Sequence, residues 1–372
     1  MKVVQILPEL DSGGVERGTL ELGQHLVALG HESLVISNGG KMVGELESAG
    51  SRHICLAVHK KSPLSLRVVP ALRRLLVKER PDILHLRSRV PAWLSWLSLR
   101  SLPMDLRPRL VSTVHGFYSV NAYSRIMTCG ERVICVSEAI RDYVLENYPR
   151  VPRERLDVIP RGIRSSEYYI DFRADEAWLD RWYAEYPETK GRRWIVLPGR
   201  LSQLKGQTEF IELLARLLPQ VPNLHALIVG GAHLRKRAYA EELQEQVAKL
   251  GLGDRVTFTG QRKDLKEILS CSALVLSLSR QPESFGRTVL EPLALGVPVI
   301  GFSDGGVGEI LRTMLPEGIV TRGDEEQLLE RCRRFLEKPP IPQTDHPFSL
   351  ETMLTRIVSV YEGLLKTSRT GV

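Results

Sequence analysis

The sequence predicts an α/β protein of two domains, each built on an open parallel sheet. Three observations predict it. The chain has 372 residues, a length that favours two domains over one. Short apolar runs alternate with stretches of helical period, as βα units do. Several of those runs end in a glycine-rich or charged loop that opens a helix. Such strand–loop–helix junctions lie at the carboxyl edge of a parallel sheet, where open α/β folds bind ligands.

The first unit starts at the strand Lys2–Leu7. The loop Pro8–Glu16 follows, then a helix with Leu20, Leu22, Leu26 and Leu29 that stops at Gly30. Gly13 and Gly14 let the backbone approach a phosphate, and the helix start behind them favours an anion. The loop is not the G-x-G-x-x-G dinucleotide fingerprint. Ser33–Ser37 and His53–Ala57 read as strands around a short helix, Gly44–Ala49. Ser65–Glu79 carries Leu66, Val69, Leu72, Leu75 and Leu76 at helical spacing, with Arg67, Arg73, Arg74 and Lys78 on its other face. The strand Pro81–Leu86 ends in Arg87 and Arg89, two guanidiniums that can fork onto a phosphate or carboxylate of an acceptor. Pro91–Leu102, with Trp93 and Trp96, reads as a packed domain helix; an interfacial helix would carry more cations than Arg100. Arg109–Val114 is a strand closed by His115-Gly116, which points His115 into the ligand cleft. Val133–Ser137 is the next strand, and Ser137 suits the N-cap of the helix Glu138–Asn147. Leu156–Ile159 runs into Pro160-Arg161-Gly162.

Ser165–Arg193 is aromatic-rich, holds one helix at Asp175–Ala184, and reads as the connection into the second unit. There Trp194–Leu197 starts a new sheet and leads into Gly199-Arg200-Leu-Ser-Gln-Leu-Lys205-Gly206, before the helix Thr208–Leu218. Arg200 and Lys205 between glycines suit a diphosphate, although the Walker order is missing. Leu224–Val229 is a strand, Tyr239–Leu250 an amphipathic helix, and Val256–Gly260 a strand leading through Arg262 and Asp264 to the helix Leu265–Ser270. The strand Ser272–Leu278 precedes Gln281–Glu291, where Glu283 lies on a loop and Glu291 in the helix Thr288–Leu295. Ser284, Phe285, Gly286 and Arg287 supply backbone N–H groups at that helix start, while the two carboxylates accept from hydroxyls. A ligand with an anionic middle and hydroxyl-rich ends satisfies both, and a nucleotide sugar is one. Val297–Gly301, a glycine turn at Gly305–Gly308, the helix Gln327–Leu336 and a last helix, Ser349–Leu365, complete the chain.

Composition bounds the partners. The net charge is +7, apolar residues make up 43% and charged residues 26%, ordinary for a soluble globular protein. Residues 52–109 hold 13 basic and 3 acidic residues, a field that suits an anionic partner. Five scattered cysteines without a C-x-x-C pair argue against a disulfide scaffold or zinc site and fit a reducing compartment. The first ten residues are too short an apolar run for a signal peptide, and no stretch reaches the ~20 apolar residues of a membrane span.

Four motifs in this order resemble the retaining glycosyltransferases of family 4: Gly13-Gly14-Val-Glu16, Thr113-Val-His115-Gly116, Gly199-Arg200 to Lys205-Gly206, and Glu283 to Glu291 with seven residues between. The resemblance covers nearly the whole chain. It implies the GT-B fold, two facing Rossmann-like domains with a C-terminal helix crossing back. The expected domains are residues 1–165 for the acceptor, 166–348 for the connection and nucleotide sugar, and the helix 349–372 on the first domain. It also implies roles. Arg200 and Lys205 stabilise the leaving diphosphate, Glu283 binds the donor sugar, His115 positions that sugar, and Glu291 accepts from the ribose. Gly13, Gly14, Glu16, Arg262, Ser284, Phe285 and Gly286 join the donor site, and Arg87 and Arg89 the acceptor site. Family members have Pro-Asn-Gly where this chain has Arg161, a departure at the hinge. No D-x-D pair is present, so no metal or other cofactor is expected beside a nucleotide-sugar substrate, UDP-linked by preference and GDP-linked second. The expected acceptor is an anionic glycolipid or oligosaccharide of the lipopolysaccharide core. The protein is expected in the cytoplasm, peripheral on anionic inner-membrane lipid, with no nucleic-acid partner. The rival readings are a sugar-nucleotide 2-epimerase on the same fold, which needs more acids and bases around one carbon, and a non-catalytic binder of anionic surfaces.

Overall fold

The computed structural model describes residues 1–11, 13–231 and 237–367. Ser12 of the first glycine loop and the end of the expected 349–372 segment lie outside them. The chain divides into two units: Met1–Pro160 with the chain from Glu351 on, and Arg161–Leu350.

The first unit alternates β1 (Lys2–Ile6), α1 (Gly14–Ala28), β2 (Glu32–Ser37), α2 (Val43–Ser48), β3 (Arg52–Cys55), α3 (Val69–Glu79), β4 (Ile83–Leu86), α4 (Arg89–Arg100), β5 (Arg109–Val114), β6 (Arg132–Cys135), α5 (Glu138–Asn147) and β7 (Leu156–Val158). Its parallel sheet has the order β3-β2-β1-β4-β5-β6-β7. Helices cover both faces, so the central strands are apolar throughout: Val3, Val4, Ile6, Ile83, Leu84 and Leu86 are all fully buried. The strand order reverses between β1 and β4, which makes a topological switch point of the loops that follow them. Ser137 caps α5 as expected, its Oγ accepting from the Ile140 N–H at 3.1 Å. The helix expected over Ser65–Glu79 is broken into a 3-10 turn, Pro63–Val68, and α3. Pro70 explains the break: it lacks an N–H, so it fits a helix start and not a helix interior. The tryptophan segment is α4, with Leu94 and Leu99 in the core and the Trp93 indole donating to the Tyr123 carbonyl at 2.9 Å.

The second unit runs α6 (Glu176–Glu185), β8 (Arg193–Pro198), α7 (Gln207–Leu217), β9 (Leu224–Val229), α8 (Arg237–Lys249), β10 (Val256–Gly260), α9 (Leu265–Ser270), β11 (Ser272–Ser277), α10 (Arg287–Ala294), β12 (Val299–Phe302), α11 (Gly305–Met314), β13 (Ile319–Val320) and α12 (Glu325–Glu337). Its parallel sheet has the order β10-β9-β8-β11-β12-β13, with the reversal between β8 and β11. The two-residue β13 has no sequence signal of its own. The aromatic stretch before β8 folds into this unit: Trp178 and Trp182 stack at 5.3 Å between centroids, and Trp182 meets Trp194 of β8 at 5.2 Å. Gly162 is required by contact, because a Cβ there would sit 2.2 Å from the Ser349 carbonyl oxygen. Ile163 and Ser349 form a parallel bridge beside both chain connections to the first unit.

The final helix, α13 (Leu350–Lys366), returns to the first unit. Tyr361 is fully buried there, its hydroxyl 2.6 Å from His85 Nδ1, and His85 Nε2 lies 2.6 Å from the Thr113 hydroxyl.

Candidate active site

In the second unit, the loops after β8 and β11 flank the switch point, and they carry the two strongest sequence candidates. Lys205 Nζ donates to Glu283 Oε1 at 2.8 Å, and the Ser279 hydroxyl donates to the same oxygen. The side chains are 27% and 19% exposed, reachable by a ligand yet partly shielded from water. The loops are joined by the Arg280 N–H, which donates to the Leu204 carbonyl at 2.9 Å. Gly206 must be glycine for two reasons. Its φ is +76°, and a Cβ would stand 2.1 Å from the Leu278 carbonyl oxygen. Arg200 is exposed, and its carbonyl is held by the Gln207 amide at 3.0 Å. An exposed guanidinium on the same loop as a paired lysine suits the charge of a diphosphate.

Glu283 is also fixed through its backbone. Its carbonyl accepts from the Gly306 N–H at 2.8 Å, at the start of α11. Helix α10 begins at Gly286 with φ +109°. Phe285 is buried against Phe348, so only its backbone is offered to a ligand, and Ser284 is half-buried beside it. One turn into α10, Glu291 is 7% exposed and accepts from Arg287 Nε at 2.8 Å. Burial pushes its carboxyl above the ordinary range, against the pull of Arg287. A buried carboxylate with a single cationic partner retains lone pairs for hydroxyl donors.

In the first unit, Gly13 has φ +144° and N-caps α1, and a Cβ on it would meet the Glu16 carboxylate at 2.5 Å. Glu16 therefore folds over the helix start, where an acid is favoured. Gly14 has open space around it. His115 follows β5 half-buried, and its N–H donates to the Tyr118 hydroxyl at 3.2 Å.

Three arginines are placed differently from expectation. Arg87 is 2% exposed, and its Nη1 donates to Gln5 Oε1 at 3.0 Å. Burial lowers its guanidinium to about 10. Such a group braces β4 against β1 and is not an outward fork. Arg89 donates to the Ser124 hydroxyl at 3.1 Å and lies 4.7 Å over the Tyr118 ring, so it too is engaged inside its unit. Arg262 pairs with Asp264 at 2.8 Å and Glu185 at 2.7 Å and lies over the Trp182 and Tyr186 rings. Two carboxylates and two rings satisfy its side chain. The Arg-x-Asp spacing was the available warning.

Sequence reasoning also passed over contributors. Ser279 is the second donor to Glu283. Arg322 holds Asp304 through Nη2 at 2.7 Å, donates to the Ser279 carbonyl and lies 4.4 Å over the Phe302 ring. It thereby ties the loop of Glu283 to the start of α11. Tyr168 lies near Glu291, and burial, with the Glu291 charge adding, raises its phenol. None of these had a local signal stronger than a polar residue at a strand end or loop.

Two sheets with the 3-2-1-4-5-6 order of doubly wound folds, each with its candidate residues at the order reversal, define a protein of the GT-B class. Residues 12–167 match Glycosyltransferase Family 4, and residues 180–347 match Glycosyl transferases group 1. A glycosyltransferase from Rickettsia africae superposes with a TM-score of 0.82 at 27% identity, over 99% of both chains. Anabaena HepE, solved with UDP and glucose, superposes with a TM-score of 0.82 at 20% identity, over 98% of this chain and 100% of that one, a likeness of fold. A lipopolysaccharide core biosynthesis mannosyltransferase of Rhizobium meliloti is 30% identical over 47% of this chain. The chain spans about half the length of that relative, 53%. The chain belongs to the family 4-like glycosyltransferases.

Proposed function

We propose that this protein is a retaining, metal-independent glycosyltransferase that moves a hexosyl group from a nucleotide sugar, UDP-linked by preference, to a glycolipid acceptor of the lipopolysaccharide core. The observation that carries the reading is the Lys205–Glu283 pair at the switch point of the second unit. When a donor binds, Lys205 and Arg200 take the diphosphate, and Glu283 is released to accept from sugar hydroxyls. Glu291 accepts from the ribose. From the first unit, His115 and the Gly13-Gly14 turn with Glu16 are assigned to the donor as well. The C1–O bond to phosphate breaks as the acceptor oxygen bonds C1 on the same face, and the acceptor proton passes to the departing phosphate oxygen. Preorganised cations on that leaving group supply the main stabilisation. The names of relatives support both choices: the Rhizobium protein is a lipopolysaccharide core enzyme, which favours the acceptor class, and the HepE crystals contain UDP, which favours the donor. Arg89, engaged with Tyr118, remains the proposed acceptor contact at the loop after β4.

A donor screen by thermal shift, followed by transfer assays, tests this. A true donor stabilises in proportion to its binding. The expected result is a shift with one UDP-sugar, product of unchanged anomeric configuration by NMR, and activity that survives chelator. An inverted product, or activity abolished by chelator, would remove the mechanism; no shift with any nucleotide sugar would remove the function.

A further inference from the structure

We infer that Arg322 is a positioning residue for the proposed transfer, fixing Glu283 through Ser279 and Asp304. Arg322 follows the two-residue strand β13 and lies 43 residues from Ser279 along the chain. Its guanidinium is divided between two partners. Nη1 donates to the Ser279 carbonyl, while Nη2 and Nε donate to the Asp304 carboxylate at 2.7 and 3.1 Å. Each partner leads to Glu283 by a short path. The Ser279 hydroxyl donates to the Glu283 carboxylate. From Asp304 the chain passes through Gly305 to Gly306, whose N–H donates to the Glu283 carbonyl at 2.8 Å. Gly305 leaves no slack on that path, because a Cβ on it would stand 2.5 Å from the Glu283 carbonyl oxygen. The circuit is closed: two segments hold Glu283, one at its carboxylate and one at its backbone, and Arg322 clasps the two together.

The clasp contributes little to the stability of the fold. The Arg322 and Asp304 side chains are 33% and 39% exposed, and an ion pair this open to water is weak. Arg322 also borders a cavity of about 340 Å³ whose walls include Leu278, Phe302 and Leu328. Its guanidinium is therefore held by polar contacts and by the Phe302 ring, 4.4 Å away, and not by close packing. What the planar fork supplies is direction. One rigid group donates along two fixed lines, to a carbonyl on one side and a carboxylate on the other, which the single ammonium of a lysine does not reproduce. Direction matters at Glu283, because a misplacement of about 1 Å in a group that orients substrate costs on the order of a hundredfold in rate. Arg322 is not assigned to the donor. It acts on the carboxylate that is.

The inference rests on the proposed role of Glu283 as the donor-sugar carboxylate. The test is a double-mutant cycle on the full chain between Arg322→Met, which keeps an apolar stem beside Phe302, and Glu283→Ala. Turnover is measured with the UDP-sugar selected by thermal shift, nucleotide affinity by calorimetry with UDP, and stability by thermal denaturation. Arg322→Met should lower kcat about 100-fold. It should leave the Kd for UDP within about twofold and lower Tm by less than about 4 °C. Arg322→Lys restores the charge without the fork, so its kcat should fall between those of Arg322→Met and wild type. Added to Glu283→Ala, Arg322→Met should cost no more than about threefold further, because a carboxylate already removed cannot be misplaced. The inference is overturned if Arg322→Met keeps kcat within about threefold of wild type, or if its loss is equally large with and without Glu283. A loss of kcat that comes with weakened UDP binding and a larger fall in Tm overturns it too, since that is a general loosening of the unit. If Glu283→Ala itself turns over normally, or no UDP-sugar is turned over at all, the reading of the site falls and this inference with it. A loss in Glu283→Ala with none in Arg322→Met removes this inference alone.

Discussion

Lys205 and Glu283 hold each other at 2.8 Å, and in the proposed reaction both charges turn to the donor. Removing the cation by Lys205→Ala should cost about 2–4 kcal/mol of transition-state stabilisation, the size seen for one preorganised donor. Folding should survive, since the side chain is part-exposed. Near-normal turnover at saturating donor would refute the assignment. The two glutamates should separate by ligand. Glu283→Gln is expected to impair transfer and leave nucleoside diphosphate affinity nearly intact, whereas Glu291→Gln should weaken donor and diphosphate alike, with calorimetry deciding. Glu291 carries a pH signature too. Its raised carboxyl means that the folded state holds the proton more tightly than the unfolded one. Stability is then full at low pH and declines as pH rises past the ordinary 4.5. Glu291→Gln removes that decline. The variant should be at least as stable as wild type at pH 7, and the two should converge below pH 4.5, by urea denaturation. A less stable variant at pH 7 would show that the bond to Arg287 outweighs the burial.

Among the elements, the β8–α7 loop is the most constrained, because Gly206 combines a positive φ with contact against the Leu278 carbonyl. Gly206→Ala should cost at least about 1–3 kcal/mol in backbone strain. It should also displace Lys205 from Glu283, so turnover should fall further than stability does. A variant as active as wild type would show the loop to be adaptable. Elements of this kind were legible in the sequence, since apolar runs and helical spacing place nearly every strand and helix within a residue or two. The pairing of Lys205 with Glu283 was legible only as two loops at strand ends, because 78 residues separate them. Arg87 and Arg262 mark the limit. A strand-end position says which edge of the sheet a residue occupies but not whether its side chain turns outward or back under the loop. Gln5 draws Arg87 inward and Asp264 draws Arg262 aside. The break at Pro70 could have been read, because proline rules out a helix interior whatever the leucine spacing.

For the whole molecule, two units with separate cores predict two separable responses. The groups proposed for the diphosphate and ribose, Arg200, Lys205 and Glu291, lie in the second unit, so a nucleoside diphosphate should stabilise that unit first. At one hundred times its dissociation constant the gain is about 2.7 kcal/mol. The same unit contains an acid-sensitive residue. His225 of β9 is fully buried, its Nε2 lies 2.9 Å from the Thr257 hydroxyl, and that hydroxyl donates to Glu188 at 2.7 Å. Burial lowers the imidazole to about 4 from its ordinary 6.5. The unfolded chain therefore takes up the proton first. The stability that depends on neutral His225 is complete above pH 6.5 and is lost as pH falls toward 4, by about 3 kcal/mol. His25 and His53 of the first unit are lowered by burial too, but both are only half-buried. Scanning calorimetry should then show that the transition raised by UDP at pH 7 is the one that falls more steeply on acidification. His225→Gln, which can still donate to Thr257, should flatten that acid dependence and leave the UDP shift unchanged. If UDP instead raised a transition indifferent to His225, the diphosphate site would lie outside the unit that holds Lys205 and Glu283, and the central assignment would fall with it.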